Sequence, residues 1–180
     1  TGVTGYLGSW VLKKFMECQD PKFDIRGTVR DPDNKEKIQP LRESLGEELE
    51  NVELVAAELT DAASINKAIE GCDYVIHTAS PFPAKQPKNE NDLIKPAVEG
   101  TRAVLDACKQ HKVKRLVVTS SVAAIIDYSK HEEGKMLTED DWLEDYGKLF
   151  TTFVVNNILC ETIFSRITTN YRQHRSISEE

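Results

Sequence analysis

Short apolar runs alternate with stretches of helical periodicity along this chain. Phe23 to Val29 alternates apolar and polar positions with period two, the spacing of a strand with one buried face. Val52 to Ala57, Tyr74 to Ala79 and Arg115 to Ser120 are further short strands, the last rich in β-branched residues. Between them, Ser9 to Cys18, Ala62 to Glu70 and Asp92 to Gln110 read as helices. In the third, Ala97, Thr101, Val104, Leu105 and Cys108 share one face. This alternation predicts an α/β fold, a doubly wound parallel sheet with helices on both faces. The proline-rich loop Pro81 to Pro87 follows the end of a strand, which is where ligands bind in such sheets. Asn89 to Asp92 reads as the helix start beyond it.

Composition narrows the partners. Hydrophobic residues make up 39% and charged residues 29%, ordinary for a soluble globular chain. A formal net charge of −7 with no basic face argues against a nucleic-acid partner. No apolar run reaches the roughly 20 residues a membrane-crossing helix needs, and no signal peptide is evident, so no membrane partner is expected. Cys18, Cys72, Cys108 and Cys160 are far apart and lack CxxC spacing, which reads as reduced thiols in a cytoplasmic protein. His77, His111, His131 and His174 are scattered, with no carboxylate or cysteine at ligand spacing, so they read as structural or surface residues and no metal is expected. The acidic run Glu139 to Asp141 reads as a helix start capped by Thr138. Nothing in the pattern speaks to oligomeric state.

The strongest chemical signal lies at the start. Thr1-Gly2-Val3-Thr4-Gly5-Tyr6-Leu7-Gly8 is a TGxxGxxG turn running into a helix, with a strand after it. In a dinucleotide site Gly2 would permit the tight turn, Gly5 the approach of a pyrophosphate, and Gly8 close packing of the helix on the sheet. The helix N-terminus would present free N–H groups to the phosphates. Arg30 follows the next strand. An acid there holds a ribose 2′-hydroxyl and favours NAD, whereas an arginine suits the 2′-phosphate of NADP. Thr28 and Lys37 are candidates to assist it. An Arg30–Asp31 surface pair is the competing reading of Arg30.

The strings GVTGYLGSWV, RGTVRDP, GCDYVIHTASPFP, KPAVEGT and VKRLVVTSSVAAI together resemble the landmarks of the extended short-chain dehydrogenases. The resemblance is to the group holding dihydroflavonol 4-reductases, cinnamoyl-CoA reductases and ketone reductases, within the wider epimerase/dehydratase superfamily. It implies a Rossmann-like domain over residues 1–147, NADP(H), and reduction of a carbonyl on a small organic substrate. Carried over by motif, Gly2, Thr4, Gly5, Tyr6, Leu7 and Gly8 belong to the dinucleotide turn, and Thr28, Arg30 and Lys37 to the 2′-phosphate side. Glu58 and Leu59 take the adenine-side position, where the family usually has Asp-Leu. Thr78, Ala79 and Ser80 match the loop beside the ribose and nicotinamide, Thr119 is a further cofactor-binding candidate, and Ser121 matches the catalytic serine.

The same resemblance calls for Tyr-x-x-x-Lys on the following helix, the tyrosine donating a proton to the substrate oxygen and the lysine lowering its pKa. No tyrosine here has a lysine four positions later. The best local match places Phe153 and Asn157 in those roles, which predicts a rate loss on the order of 10²–10⁴. Tyr146 and Tyr171 do not substitute. The segment 148–180 reads as an atypical helical or disordered tail, produced either by substitution or by a disrupted coding region. The family pattern also expects a first strand before Thr1 and a substrate-binding part after the tail. Three functions follow: a reductase whose chain is catalytically impaired, a non-catalytic NADP-binding sensor or regulatory domain, or an epimerase/dehydratase relative.

Overall fold

The computed structural model describes residues 1–18, 22–81, 89, 91–120, 134 and 136–138. Its elements run α1 (Tyr6–Glu17), β1 (Ile25–Val29), α2 (Lys35–Leu45), a 3-10 helix (Gly46–Asn51), β2 (Val52–Ala56), α3 (Ala62–Ile69), β3 (Tyr74–His77), α4 (Asn91–Gln110) and β4 (Arg115–Val118). Thr1–Ser80 with Arg102–Thr119 forms one compact unit, and Pro81–Thr101 with 120–180 forms another. In the described part of the second unit, Asp92 N–H bonds Asn89 O at 3.1 Å at the start of α4, and an exposed Lys95–Glu99 pair lies one turn on.

The sequence expectation of parallel strands separated by helices holds in the first unit. β1 pairs β2 in parallel from Ile25↔Val52 to Val29↔Ala56, and β3 pairs β4 in parallel from Tyr74↔Arg115 to His77↔Val118. The strands are shorter than their apolar runs. Phe23 is not in β1, because its ring packs edge-on against Phe15 of α1 with centroids 5.3 Å apart. α1 begins three residues before the expected Ser9, with Gly5 as its N-cap.

A further helix, α2, occupies a stretch the hydropathy reading left without an element. Asn34 caps it by accepting from Lys37 N–H at 3.1 Å, and Ile38, Leu41 and Leu45 form its buried face. Pro40 sits inside it.

β1 does not show the predicted one-sided burial, since Gly27, Thr28 and Val29 are buried in succession. Both faces of the strand are covered. Ile25 and Val29 pack with Leu12 and Met16 of α1, Ile38, Leu41 and Leu45 of α2, and Val52 and Leu54 of β2. Arg26, one position out of phase, faces the end of α3. A second cluster joins Ile65 and Ile69 of α3, Val75 of β3, and Val104, Ala107 and Cys108 of α4.

Arg26 joins three pieces of chain. Its Nε donates to Glu53 Oε2 at 2.7 Å across the β1–β2 pair, and its Nη1 donates to Ala68 O at 3.1 Å and Glu70 O at 2.7 Å. These are carbonyls of the last turn of α3 and of its C-cap, which have no partners within the helix and attract a cation. Arg26→Ala removes these charge-assisted bonds and is expected to lower stability by about 1–3 kcal/mol. Urea unfolding of the variant checks this, and an unchanged midpoint would show the tie to be ornamental.

β1 and β3 are not bonded to each other; they belong to separate two-stranded sheets. The segment Thr1–Val3 bonds to both pairs. The Thr1 nitrogen donates to Ile76 O at 2.6 Å on one side, and Val3 N–H reaches Thr28 O at 3.4 Å on the other. Val3 is buried in the first cluster.

Candidate dinucleotide site

The turn that follows this bridging segment is held from four directions. Gly2 has φ +72, where an L side chain is strained, and a Cβ on it would lie 2.9 Å from Ala79 Cα. Gly2 N–H donates to Thr28 Oγ1 at 3.1 Å, and Gly2 O accepts from Gly5 N–H at 3.0 Å. Thr78 Oγ1 donates to Thr1 O at 2.6 Å, while Ala79 N–H donates to Thr1 Oγ1 at 3.3 Å. Gly8 is buried against the same backbone: a Cβ there would come within 2.8 Å of Gly2 C and 2.9 Å of Thr78 Oγ1.

The turn thus docks the start of α1 onto the end of β3. Thr4, Gly5, Tyr6 and Leu7 are left on the outside, with Tyr6 84% exposed. α1 has no side-chain cap and no acid in its first turn, whereas α2 is capped by Asn34 and α3 by Asp61. The first-turn N–H groups of any helix lack intrahelical acceptors, and with the helix dipole they favour an anion. An anion placed there would meet backbone rather than a competing carboxylate.

The other predicted residues divide. Arg30 is exposed just past β1, and its guanidinium makes no hydrogen bond or ion pair with a described residue. The Arg30–Asp31 pair does not form, because Asp31 Oδ1 accepts from Asp33 N–H at 2.9 Å. Lys37 lies exposed in the first turn of α2. Thr28, read as a helper of Arg30, is buried, and its hydroxyl is committed to Gly2 N–H. Glu58 turns back on its own loop, its Oε1 accepting Leu59 N–H at 3.0 Å, and Leu59 packs against the second apolar cluster. Ser80 is exposed past β3, and Thr119 closes β4 by donating to His77 O at 3.0 Å. Ser121, Phe153 and Asn157 lie outside the described residues, as do Tyr146, Tyr171, Cys160, His131, His174, the loop 82–88, the acidic run at 139–142 and the tail.

The sequence reading missed His77, which it set aside with the other histidines. Its side chain is 2% exposed, and Nδ1 lies 2.8 Å from Thr1 Oγ1. Burial pushes the imidazole from 6.5 down to about 4, so it is neutral near pH 7. The folded state therefore binds this proton less readily than the unfolded chain. Its contribution is fully present above pH 6.5 and is lost as pH falls from there to about 4. The full loss amounts to about 3 kcal/mol. Urea denaturation on either side of this window should show the loss in the wild type and a flatter response in His77→Asn. Equal slopes would rule out His77 as the source.

Among the described residues no group of three or more His, Cys, Asp or Glu is placed to hold a metal, and no helix is long and apolar enough to cross a membrane. Cys72 and Cys108 are in no disulfide. Parallel strands with helices on both faces, and a glycine turn delivering an uncapped helix to the sheet, define a partial Rossmann-like α/β fold. The chain belongs to the 3-beta hydroxysteroid dehydrogenase/isomerase family, whose profile matches residues 1–147.

It is 40% identical over 126 residues to a dihydroflavonol 4-reductase of Hordeum vulgare, an alignment covering 69% of this chain and 34% of that protein. Among solved structures, vestitone reductase from alfalfa matches 94% of this chain and 51% of its own, with 29% identity and a TM-score of 0.69. A yeast methylglyoxal/isovaleraldehyde reductase complexed with NADPH shares the fold with a TM-score of 0.77 over 96% of this chain and 52% of its own, at 22% identity. The chain spans between 34% and 41% of the length of the curated relatives it matches.

Proposed function

We propose that this chain is the cofactor-binding part of an NADPH-dependent reductase acting on a ketone or aldehyde of a small organic substrate. The observation that carries the cofactor choice is Arg30, exposed at the end of β1 with its guanidinium unpaired among the described residues. A planar guanidinium takes a phosphate in bidentate fashion, which NADH cannot exploit because it lacks the 2′-phosphate. The fit extends to the pyrophosphate. The outer side of the turn at Gly5 carries no side chain, and the uncapped first turn of α1 faces it. When bound, the cofactor supplies hydride to the substrate carbonyl. The residues of this chain orient it, with the turn holding the phosphates and Arg30 the ribose end.

The reductase relatives support the reaction class. We place the protein in the cytoplasm, in keeping with Cys72 and Cys108, which form no disulfide. Because the sequence holds no Tyr-x-x-x-Lys, turnover by the chain itself should be weak. That same gap favours, as a second reading, a non-catalytic NADP-binding regulatory domain. Fluorescence titration should give NADPH tighter binding than NADH. Equal affinities would sink the cofactor assignment, while brisk carbonyl reduction would refute the impairment and with it the regulatory reading.

A further inference from the structure

His77 is a buried titratable residue to which the reading above assigns no task. It sits at the last position of β3, directly before Thr78 and Ala79, both of which bond Thr1. Its backbone carbonyl accepts Thr119 N–H from beyond β4 at 3.0 Å. Its ring meets Thr1 Oγ1 at 2.8 Å, and the same hydroxyl oxygen accepts Ala79 N–H at 3.3 Å. Thr1 is the residue before Gly2, whose carbonyl carbon lies against Gly8. A short chain of contacts therefore runs from the interior of the β3–β4 pair through one hydroxyl to the glycine turn. The bonds on the opposite side of the turn come from Thr28, on the β1–β2 pair.

A buried polar ring needs a partner, and here that partner is the residue that sets where the turn begins. A neutral imidazole and a hydroxyl can each donate or accept, so the bond survives either tautomer. We propose that His77, acting through Thr1 Oγ1, is a positioning residue that sets the glycine turn against the end of β3 and so tunes its fit to the pyrophosphate. The inference rests on the dinucleotide reading of the turn. His77 itself touches no part of the cofactor. Its effect should be confined to ligands that lie across the turn and absent for ligands that engage only the Arg30 end.

The test uses the 180-residue chain and two probes, NADPH and 2′-AMP; the latter carries the 2′-phosphate but no pyrophosphate. His77→Leu should weaken NADPH by about tenfold or more and leave 2′-AMP within about twofold. His77→Asn, whose amide falls near the Nδ1 position, should recover most of the NADPH affinity. Thr1→Val should repeat the split while keeping the imidazole itself, and Thr1→Ser should restore NADPH affinity, so a poorly folding His77→Leu does not end the test. NADPH affinity unchanged in His77→Leu and Thr1→Val overturns the inference. Equal weakening of both probes also overturns it, because that is general destabilisation. A wild-type chain that binds 2′-AMP and NADPH with the same affinity shows that the turn does not hold the pyrophosphate, and the proposed function falls along with this inference.

Discussion

Gly8→Ala is expected to weaken NADPH binding by about a hundredfold and to lower stability by about 3 kcal/mol or more. The added methyl has no flexible neighbour to displace. It would stand 2.8 Å from the Gly2 carbonyl carbon and 2.9 Å from Thr78 Oγ1, with the Gly2 carbonyl oxygen nearer still. Overpacking against side chains is relieved by rotamer changes, but here the backbone of the turn must move. Moving it pulls Thr1 from Thr78 and shifts the first turn of α1, so stability and cofactor affinity should fall together. Thermal melts and NADPH titration of one preparation read both. A variant with wild-type melting and undiminished affinity would mean that α1 does not dock as closely as described.

Arg30→Ala is expected to act on a different quantity. NADPH affinity should fall by about 30- to 100-fold, in the range of charge-assisted hydrogen bonds, while NADH affinity changes by about twofold or less. Folding should be unaffected, since the guanidinium bonds no described residue. The cofactor preference is then erased without loss of protein. Lys37→Ala should give a smaller drop in the same direction, because an exposed ammonium in the first turn of α2 offers a point charge rather than a fork. A preference for NADPH that survives Arg30→Ala would move the 2′-phosphate away from β1.

Much of this arrangement is legible in the sequence where local chemistry and tertiary packing agree. TGxxGxxG announces a turn, and the turn at Gly2 has the left-handed φ that glycine supplies. The four strands can be read from their apolar runs, though β2, β3 and β4 end sooner and β1 begins later, because ladder pairing covers less chain than the run does. Phe23 shows why: an apolar residue beside a strand can be recruited by a helix, as Phe15 recruits it. α2 was obscured by Pro40, although Asn34 three residues before Lys37 and the spacing of Ile38, Leu41 and Leu45 were visible signals. The roles of Thr28 and His77 were not legible. Each depends on a bond to the first two residues across 26 or 76 positions of sequence, and no local pattern encodes such a partner.

The bridging segment Thr1–Val3 also bears on how the first unit comes apart. The two strand pairs have separate apolar clusters, and residues 1–3 bond to both through Ile76, His77 and Thr28. Units of this kind open as separate cooperative blocks, each with its own opening free energy, and amide exchange reports them individually. A ligand seated on the turn is anchored where the blocks meet, so its binding free energy adds to the resistance of both to opening. Cofactor would then slow exchange in β1 and in β3 together, so the dinucleotide would act as a clasp on the fold as well as a reagent.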